Sequence, residues 1–397
     1  MPATPELKAR AAAAVEAARP EILELSARIH ANPEPAFEEF QAAAWCAEVI
    51  AGAGYVVEHP AGRLATAVRG RLSGGKGSAG PRIGVLAEYD ALPGLGHGCG
   101  HNTMAASGVG AALALAALRE DFAGEIVFLG TPAEERGSGK QFMLDDGLMD
   151  GLDAALLFHP GDRDMVGCML LASEDVDVTF TGKAAHAAGE PWEGKNALDA
   201  LVLLFQGIGL WRQQLPQHAR VHGIVREGGT AANIIPDRAT AWFMIRSTDQ
   251  AYYESMRDRF RALVEGAALM ADVGGELVFS GGSTTMKDSG VLAALWRANL
   301  EAAGRVDEGV DPEHIGSSDM GNVSLVLPTI HPTLAICDHG VPWHSIESRD
   351  AAATPRADET TLLAATLVAQ TALDLLTDPA LVEAAWREFR RSSGGVA

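Results

Sequence analysis

The sequence predicts an α/β protein: an α/β/α domain built on a mostly parallel sheet, interrupted by an inserted α+β domain of ferredoxin-like order. Compact apolar runs at 83–87, 125–130 and 154–158 alternate with helical stretches such as 103–118, as a buried parallel sheet requires. Near Ser173 the texture changes. Residues 175–180 alternate polar and apolar like a half-exposed strand, and they open a β-α-β-β-α-β series ending at 276–281. From about Lys287 the first texture resumes. The 397 residues exceed the ~250 to 300 at which a single core stops growing, so the divisions expected are 1–172, 173–286 and 287–397, the outer two forming one split domain.

Taken in order, 5–25 and 37–53 read as amphipathic helices, the second entered after a turn at Pro33 and Pro35. The Gly/Ser-rich stretch 70–80 is a loop between two short strands. In the insertion, 196–213 and 252–271 read as helices, 221–225 and 239–246 as strands. A helix at 291–303, a strand at 324–327 and a helix at 359–376 finish the chain.

Composition narrows the function. With 52 acidic against 31 Lys and Arg side chains the formal charge is −21, and no basic run offsets it, which excludes broad nucleic-acid binding. Four cysteines, Cys46, Cys99, Cys168 and Cys337, are too sparse for a disulfide framework and point to a reducing compartment. The longest weakly polar stretch, 104–118, is shorter than the ~20 residues a membrane span needs. The expectation is a cytoplasmic protein with no membrane partner.

Chemistry-bearing residues gather where strands end. After 83–87 comes Glu88-Tyr89-Asp90, then a Gly/Pro loop and Cys99-Gly100-His101-Asn102 at the start of a helix. A thiol and an imidazole two residues apart can share one space, and that pair suits Zn²⁺ or another borderline transition metal. The run 125–130 leads to Glu134-Glu135, where one carboxylate can ligate metal while its neighbour shuttles a proton. His159 closes the run 154–158. Three successive strand ends bearing Cys/His, Glu/Glu and His imply a convergent site. Further on, His331, His339 and His344 are each possible ligands, and periodicity does not choose among them.

Two look-alikes fail on their own terms. Gly137-Ser138-Gly139-Lys140 resembles the end of a phosphate-binding loop, but Glu134 and Gln141 stand where its first Gly and final Ser/Thr belong. Gly316-Ser317-Ser318-Asp319 lacks the trailing Gly of a nucleophile elbow and reads as a loop near the site.

Five motifs in order resemble the dinuclear metallo-aminoacylases and carboxypeptidases, the amidohydrolases that include hippurate, auxin-conjugate and aminobenzoyl-glutamate hydrolases and β-alanyl-lysine dipeptidase. They are Arg28-x-His30-x-x-Pro33-Glu34, the Asp90-Ala91-Leu92-Pro93 to Asn102 block, Glu134-Glu135, Gly182 to Ala188, and Gly228-Gly229 to Pro236. The resemblance implies Cys99, His101, Glu135, His159 and His344 as ligands for one or two divalent transition metals, Zn²⁺ or Mn²⁺ first, with Co²⁺ and Ni²⁺ as alternatives. It implies Glu134 as general base and acid acting with a metal-bound hydroxide, and Asp90 as the group orienting a ligand. Glu88 stands where many members carry a metal-binding His. His186 matches a residue that reaches across a homodimer to stabilise the oxyanion, so the insertion would be both lid and dimerisation unit. Asn233 and Arg246 match positions near substrate, Arg246 as partner for a carboxylate; on the residues alone, Arg246 could instead pair with Asp249 or Glu254.

The function expected is metal-dependent hydrolysis of the amide bond of a small N-acyl amino acid or dipeptide-like molecule. The alternatives are a metal-dependent deaminase of an aromatic amine and a non-catalytic metal-binding scaffold.

Overall fold

The computed structural model describes residues 2–310 and 316–392, which form two compact units. The first takes the chain up to Met169 and most of it from Met286 onward; the second is Leu170–Thr285, joined by the short stretch around Gly316.

In the first unit, helices α1 (Pro5–Ala17), α2 (Arg19–Ala31) and α3 (Phe40–Gly52) precede strands β1 (Val56–Glu58), β2 (Val68–Ser73) and β3 (Arg82–Glu88). Then come α4 (His101–Ala117), β4 (Glu125–Thr131), α5 (Gly139–Asp145), β5 (Ala154–Leu156) and β6 (His159–Gly161). The second unit holds β7 (Ala172–Thr181), α6 (Ala197–Arg212), β8 (Ala219–Glu227), β9 (Arg238–Ser247), α7 (Gln250–Ala271) and β10 (Gly274–Ser283). The chain returns to the first unit through α8 (Gly290–Ala302), α9 (Met320–Ser324), β11 (Thr329–Ile330), β12 (Thr333–Ala335), α10 (Ile346–Ala351), α11 (Pro355–Thr377) and α12 (Pro379–Ser392).

The main sheet runs β1-β2-β4-β3-β5-β11, with β4, β3, β5 and β11 mutually parallel and β2 antiparallel to β4. Every residue of β4 is buried, as is β3 after Arg82, which explains their unbroken apolar runs: helices cover the sheet, so no face alternates toward water. Helix α4 packs on β3 and against α11, and its Ala/Gly-rich sequence permits that approach. Helix α11 is long and apolar enough by composition to span a membrane, and so exceeds the 104–118 stretch singled out in the sequence. It is 78% buried inside this unit and serves as a core helix. Each large side chain buried in this core, such as Trp296, Phe128 or Ile29, contributes ~1.5 to 3 kcal/mol by leaving water.

The second unit is one antiparallel sheet, β10-β7-β9-β8, the 4-1-3-2 order of a ferredoxin-like fold, with α6 and α7 packed on it. Along β9 burial alternates strictly, Ala239, Ala241, Phe243 and Ile245 meeting the apolar faces of the helices. Asn196 caps α6 by accepting from the Leu198 amide, and Asp249 caps α7 by accepting from Tyr252.

Several expectations need correction. The single helix expected at 5–25 is two, because Pro20 lacks an amide hydrogen and cannot sit inside a helix, whereas it fits the first turn of α2. The strand expected at 324–327 is a turn following α9; a four-residue apolar run does not distinguish the two. His159 does not close a strand: β5 stops at Leu156 and His159 opens β6, which pairs in parallel with β12.

Candidate metal centre and active site

Every strand that supplies the site belongs to the first unit, and each delivers its residues by a local device. Strand β3 ends at Glu88 and passes Asp90 into the loop preceding α4. Gly100 adopts a left-handed conformation (φ 71°, ψ 24°), and this reversal lets Cys99 and His101 face one space. A side chain there would be strained, and its Cβ would stand 2.8 Å from Pro160 Cγ. After β4, Ala133 has φ 60° and its amide donates to Glu39 Oε1 at 2.8 Å, turning Glu134 and Glu135 inward. Burial, helped by Asp90, pushes Glu39 itself up to about 7. His344 is also left-handed, φ 60°. Non-glycine residues hold such backbone only where the surroundings impose it, at ~1 to 3 kcal/mol each; here one is Ala133, just before Glu134 and Glu135, and the other is the candidate ligand His344 itself.

Asp90 organises the centre. Its Oδ2 accepts from the Glu135 amide at 2.9 Å, and its Oδ1 and carbonyl oxygen lie 3.0 and 2.9 Å from His101 Nδ1. Both atoms facing Nδ1 are acceptors, so Nδ1 carries the hydrogen and Nε2 is turned toward the site. His159 is held similarly, with Nδ1 donating to the Pro160 carbonyl at 2.6 Å.

The donor atoms of Cys99, Glu135 and His344 lie within 4.8 Å of one another, as do those of Cys99, His101 and His159, and those of Glu88, His101 and Glu134. His344 Nε2 is 3.0 Å from Cys99 Sγ and 3.6 Å from Glu135 Oε2. Nitrogen, oxygen and sulfur ligands about 2.0 to 2.3 Å from a tetrahedral cation stand roughly 3.3 to 3.6 Å apart, so this set fits a transition metal after shifts of a few tenths of an ångström. The orphaned atoms agree: Glu88 Oε2, His101 Nε2 and Glu135 Oε1 are buried without a hydrogen-bond partner. His101 Nε2 and Glu88 Oε2 are 3.3 Å apart, within ion-pair reach but without hydrogen-bond geometry.

The electrostatics also ask for a cation. Burial first, then Glu88 and Glu135, push the Glu134 carboxyl well above the usual range, and burial likewise raises Glu135 and the Cys99 thiol. Burial would lower His101, but Asp90, Cys99 and Glu88 together outweigh it and the ring sits well above its ordinary value. Burial takes His159 down to about 3 and His331 to about 4, so both rings are neutral near pH 7.

The three C-terminal histidines separate. His344 joins Cys99 and Glu135. His331 lies behind His159, ring centroids 5.5 Å apart, with Nδ1 donating to the Leu157 carbonyl. His339 is exposed and stands 3.1 Å from Glu308 Oε2. Two residues that sequence reasoning set aside also reach the centre: Lys140 and Asp319, both buried, pair with each other, and Lys140 pairs with Glu88. The signal was the Gly-Ser-Gly-Lys turn, read only as a failed phosphate loop.

The other expected residues lie in the second unit. His186 is exposed, and its Nδ1 accepts from the amides of Ala188 and Gly189 at 3.2 and 2.9 Å, so its hydrogen is on Nε2, available as a donor. Asn233 is next to this turn, its carbonyl accepting from the Ala187 amide. Arg246 sits on β9 with Nε buried and unpartnered, and no ion pair to Asp249 or Glu254 forms among the described residues.

Thiol, imidazole and carboxylate donors around a buried second carboxylate, gathered where parallel strands end, define a metal-dependent hydrolase. The chain belongs to peptidase family M20/M25/M40, whose model matches residues 84–374. It is 36% identical over 402 residues to the Xaa-Arg dipeptidase of Mus musculus, covering 97% of this chain and 92% of that one. One of the polypeptides of the Escherichia coli p-aminobenzoyl-glutamate hydrolase is 35% identical over 280 residues, 65% of this chain and 57% of the relative. In fold, the chain is similar to a dinuclear metal-binding peptidase of the same family from Bacillus subtilis, with TM-score 0.70 and 20% identity over 91% of this chain and 99% of that one. The protein is thus an amidohydrolase that uses divalent metal and acts on linear amide or peptide bonds of small acyl-amino acid or dipeptide-type molecules.

Proposed function

We propose that the protein is a dipeptidase or aminoacylase that uses two divalent cations, which Cys99, His101, Glu135, His159 and His344 would hold, and that its substrates include dipeptides with a basic C-terminal residue. The carrying observation is a carboxylate, Glu134, buried beside a ready-made set of metal donors; the similarity to Xaa-Arg dipeptidases along nearly the whole chain supports the substrate. When bound, the cations supply Lewis acidity and lower the pKa of an attacking water to about 7. Glu134, buried beside the donor set, takes the proton from that water and returns it to the departing amine. Asp90 keeps His101 in the tautomer that presents Nε2. His186 donates from Nε2 to the oxyanion, Asn233 assists beside it, and the Arg246 guanidinium, whose Nε has no partner, receives the substrate carboxylate.

The metals in this reading are Zn²⁺ or Mn²⁺, the second unit is the lid and joins two copies, and the free thiols suit the cytoplasm. Elemental analysis of the purified protein, coupled to mass-spectrometric screening of dipeptides and N-acyl amino acids, tests it. Metal-replete protein inactive across that panel refutes the substrate class.

A further inference from the structure

We propose that Lys140 and Asp319 form a buried clamp that holds Glu88 as a donor to the cation bound by His101. The inference rests on the metal-dependent reading above and extends it to three residues outside the ligand set expected from the sequence.

Lys140 enters the core from a strained turn in which Gly137 and Ser138 have φ 113° and 59°, and Gly139 has no room for a Cβ against the Pro132 carbonyl oxygen. Its amide donates to Asp319 Oδ2 at 2.8 Å, and its ammonium donates to Asp319 Oδ1 and to Glu88 Oε1, each at 2.5 Å. The three side chains are at most 1% exposed. Both oxygens of Asp319 are therefore committed to Lys140, and Asp319 anchors the lysine.

Glu88 differs, because only one of its oxygens is committed. Its Oε2 has no hydrogen-bond partner and stands 3.3 Å from His101 Nε2, which has none either. With Nδ1 engaged by Asp90, Nε2 is the ring nitrogen left facing Glu88 Oε2, and a cation placed against both would satisfy two buried atoms that have no other hydrogen-bond partner. Glu134 completes a group of donors within 4.8 Å. A lysine serving only to neutralise buried charge could take both oxygens of Glu88; here it takes one and fixes the direction of the other.

The test is calorimetric titration of chelator-stripped, full-length protein with Zn²⁺, with the visible spectrum of the Co²⁺-loaded protein as a second readout. Wild type should take two equivalents. Glu88→Gln should weaken one of them at least 10-fold, leave the other unchanged and alter the Co²⁺ spectrum. Lys140→Met should weaken the same equivalent by roughly 10- to 100-fold, the usual effect of removing a group that orients a ligand. Because the lysine acts through Glu88, the double variant should bind no more weakly than Glu88→Gln alone. Unchanged affinities and spectrum in Glu88→Gln, or additive losses in the double variant, would overturn the clamp while leaving the metal-dependent reading intact; wild type that binds no cation would overturn both. If Lys140→Met does not fold, Asp319→Asn keeps the ammonium but loosens its anchor: a weakened equivalent supports the proposal and an unchanged one overturns it.

Discussion

Replacing Glu134 by Gln changes one oxygen into an amide nitrogen and removes both a base and a buried charge. A positioned general base contributes about 10²- to 10⁴-fold, so turnover should fall by that factor, which is ~2.7 to 5.4 kcal/mol in the barrier. The fold should not suffer. Glu134 is crowded by Glu88 and Glu135 and held above the usual carboxylate range chiefly by burial, so its ionised form opposes folding in the metal-free chain. The sign follows: a carboxyl whose folded pKa is raised contributes stability that is complete below its unfolded value and is lost as pH rises through the folded one. Metal-free wild type should therefore lose stability across that window, and Glu134→Gln should lose less and melt no lower than wild type near neutral pH. The assay pairs product formation by mass spectrometry on metal-loaded protein with metal content and a pH series of melting curves on stripped protein. Turnover within 10-fold of wild type at equal metal content would remove Glu134 from the proton path.

Cys99→Ala should lower bound metal, since Sγ belongs to two of the three donor groups; unchanged stoichiometry in a folded variant would remove Cys99 from the ligand set. His186→Ala should cost ~10²- to 10³-fold in kcat, as loss of an oxyanion donor does, with metal content unaffected. If His186 acts in the partner's site, co-refolded His186→Ala and Glu134→Gln chains should regain activity that neither has alone, and silent mixtures confirmed as heterodimers would refute the crossing. Gly139→Ala should lower stability by ~1 to 3 kcal/mol, read as a drop in urea midpoint, because the new Cβ collides with the Pro132 carbonyl oxygen; an unchanged midpoint would show that the turn can relax.

Much of the fold was legible because its signals are local. Burial on both faces writes β3 and β4 as unbroken apolar runs, half-burial writes β7 as an alternation, and the stretch opening at Asn196 reads as a helix whose start that residue caps. Where local signals were equivocal the reading failed. The residues before Thr329 are as apolar as a strand but form a helix and turn, and Pro20 divides a helix whose polarity pattern runs on without a break.

The sequence by itself determined which residue types follow the parallel strands, whose carboxyl ends lie on one side of the sheet; that Asp90, Glu134 and His159 meet was decided by the sheet order, in which β4, β3 and β5 are neighbours. It could not choose among His331, His339 and His344, nor assign a role to Lys140 or Asp319. Those choices depend on contacts between residues up to 245 positions apart, such as Cys99 with His344, which no periodicity encodes. The tertiary structure decided them by burial. A charge enclosed with Glu88 must find its counter-charge there, which sends Lys140 to Glu88 and Asp319, whereas His339 stays in water beside Glu308.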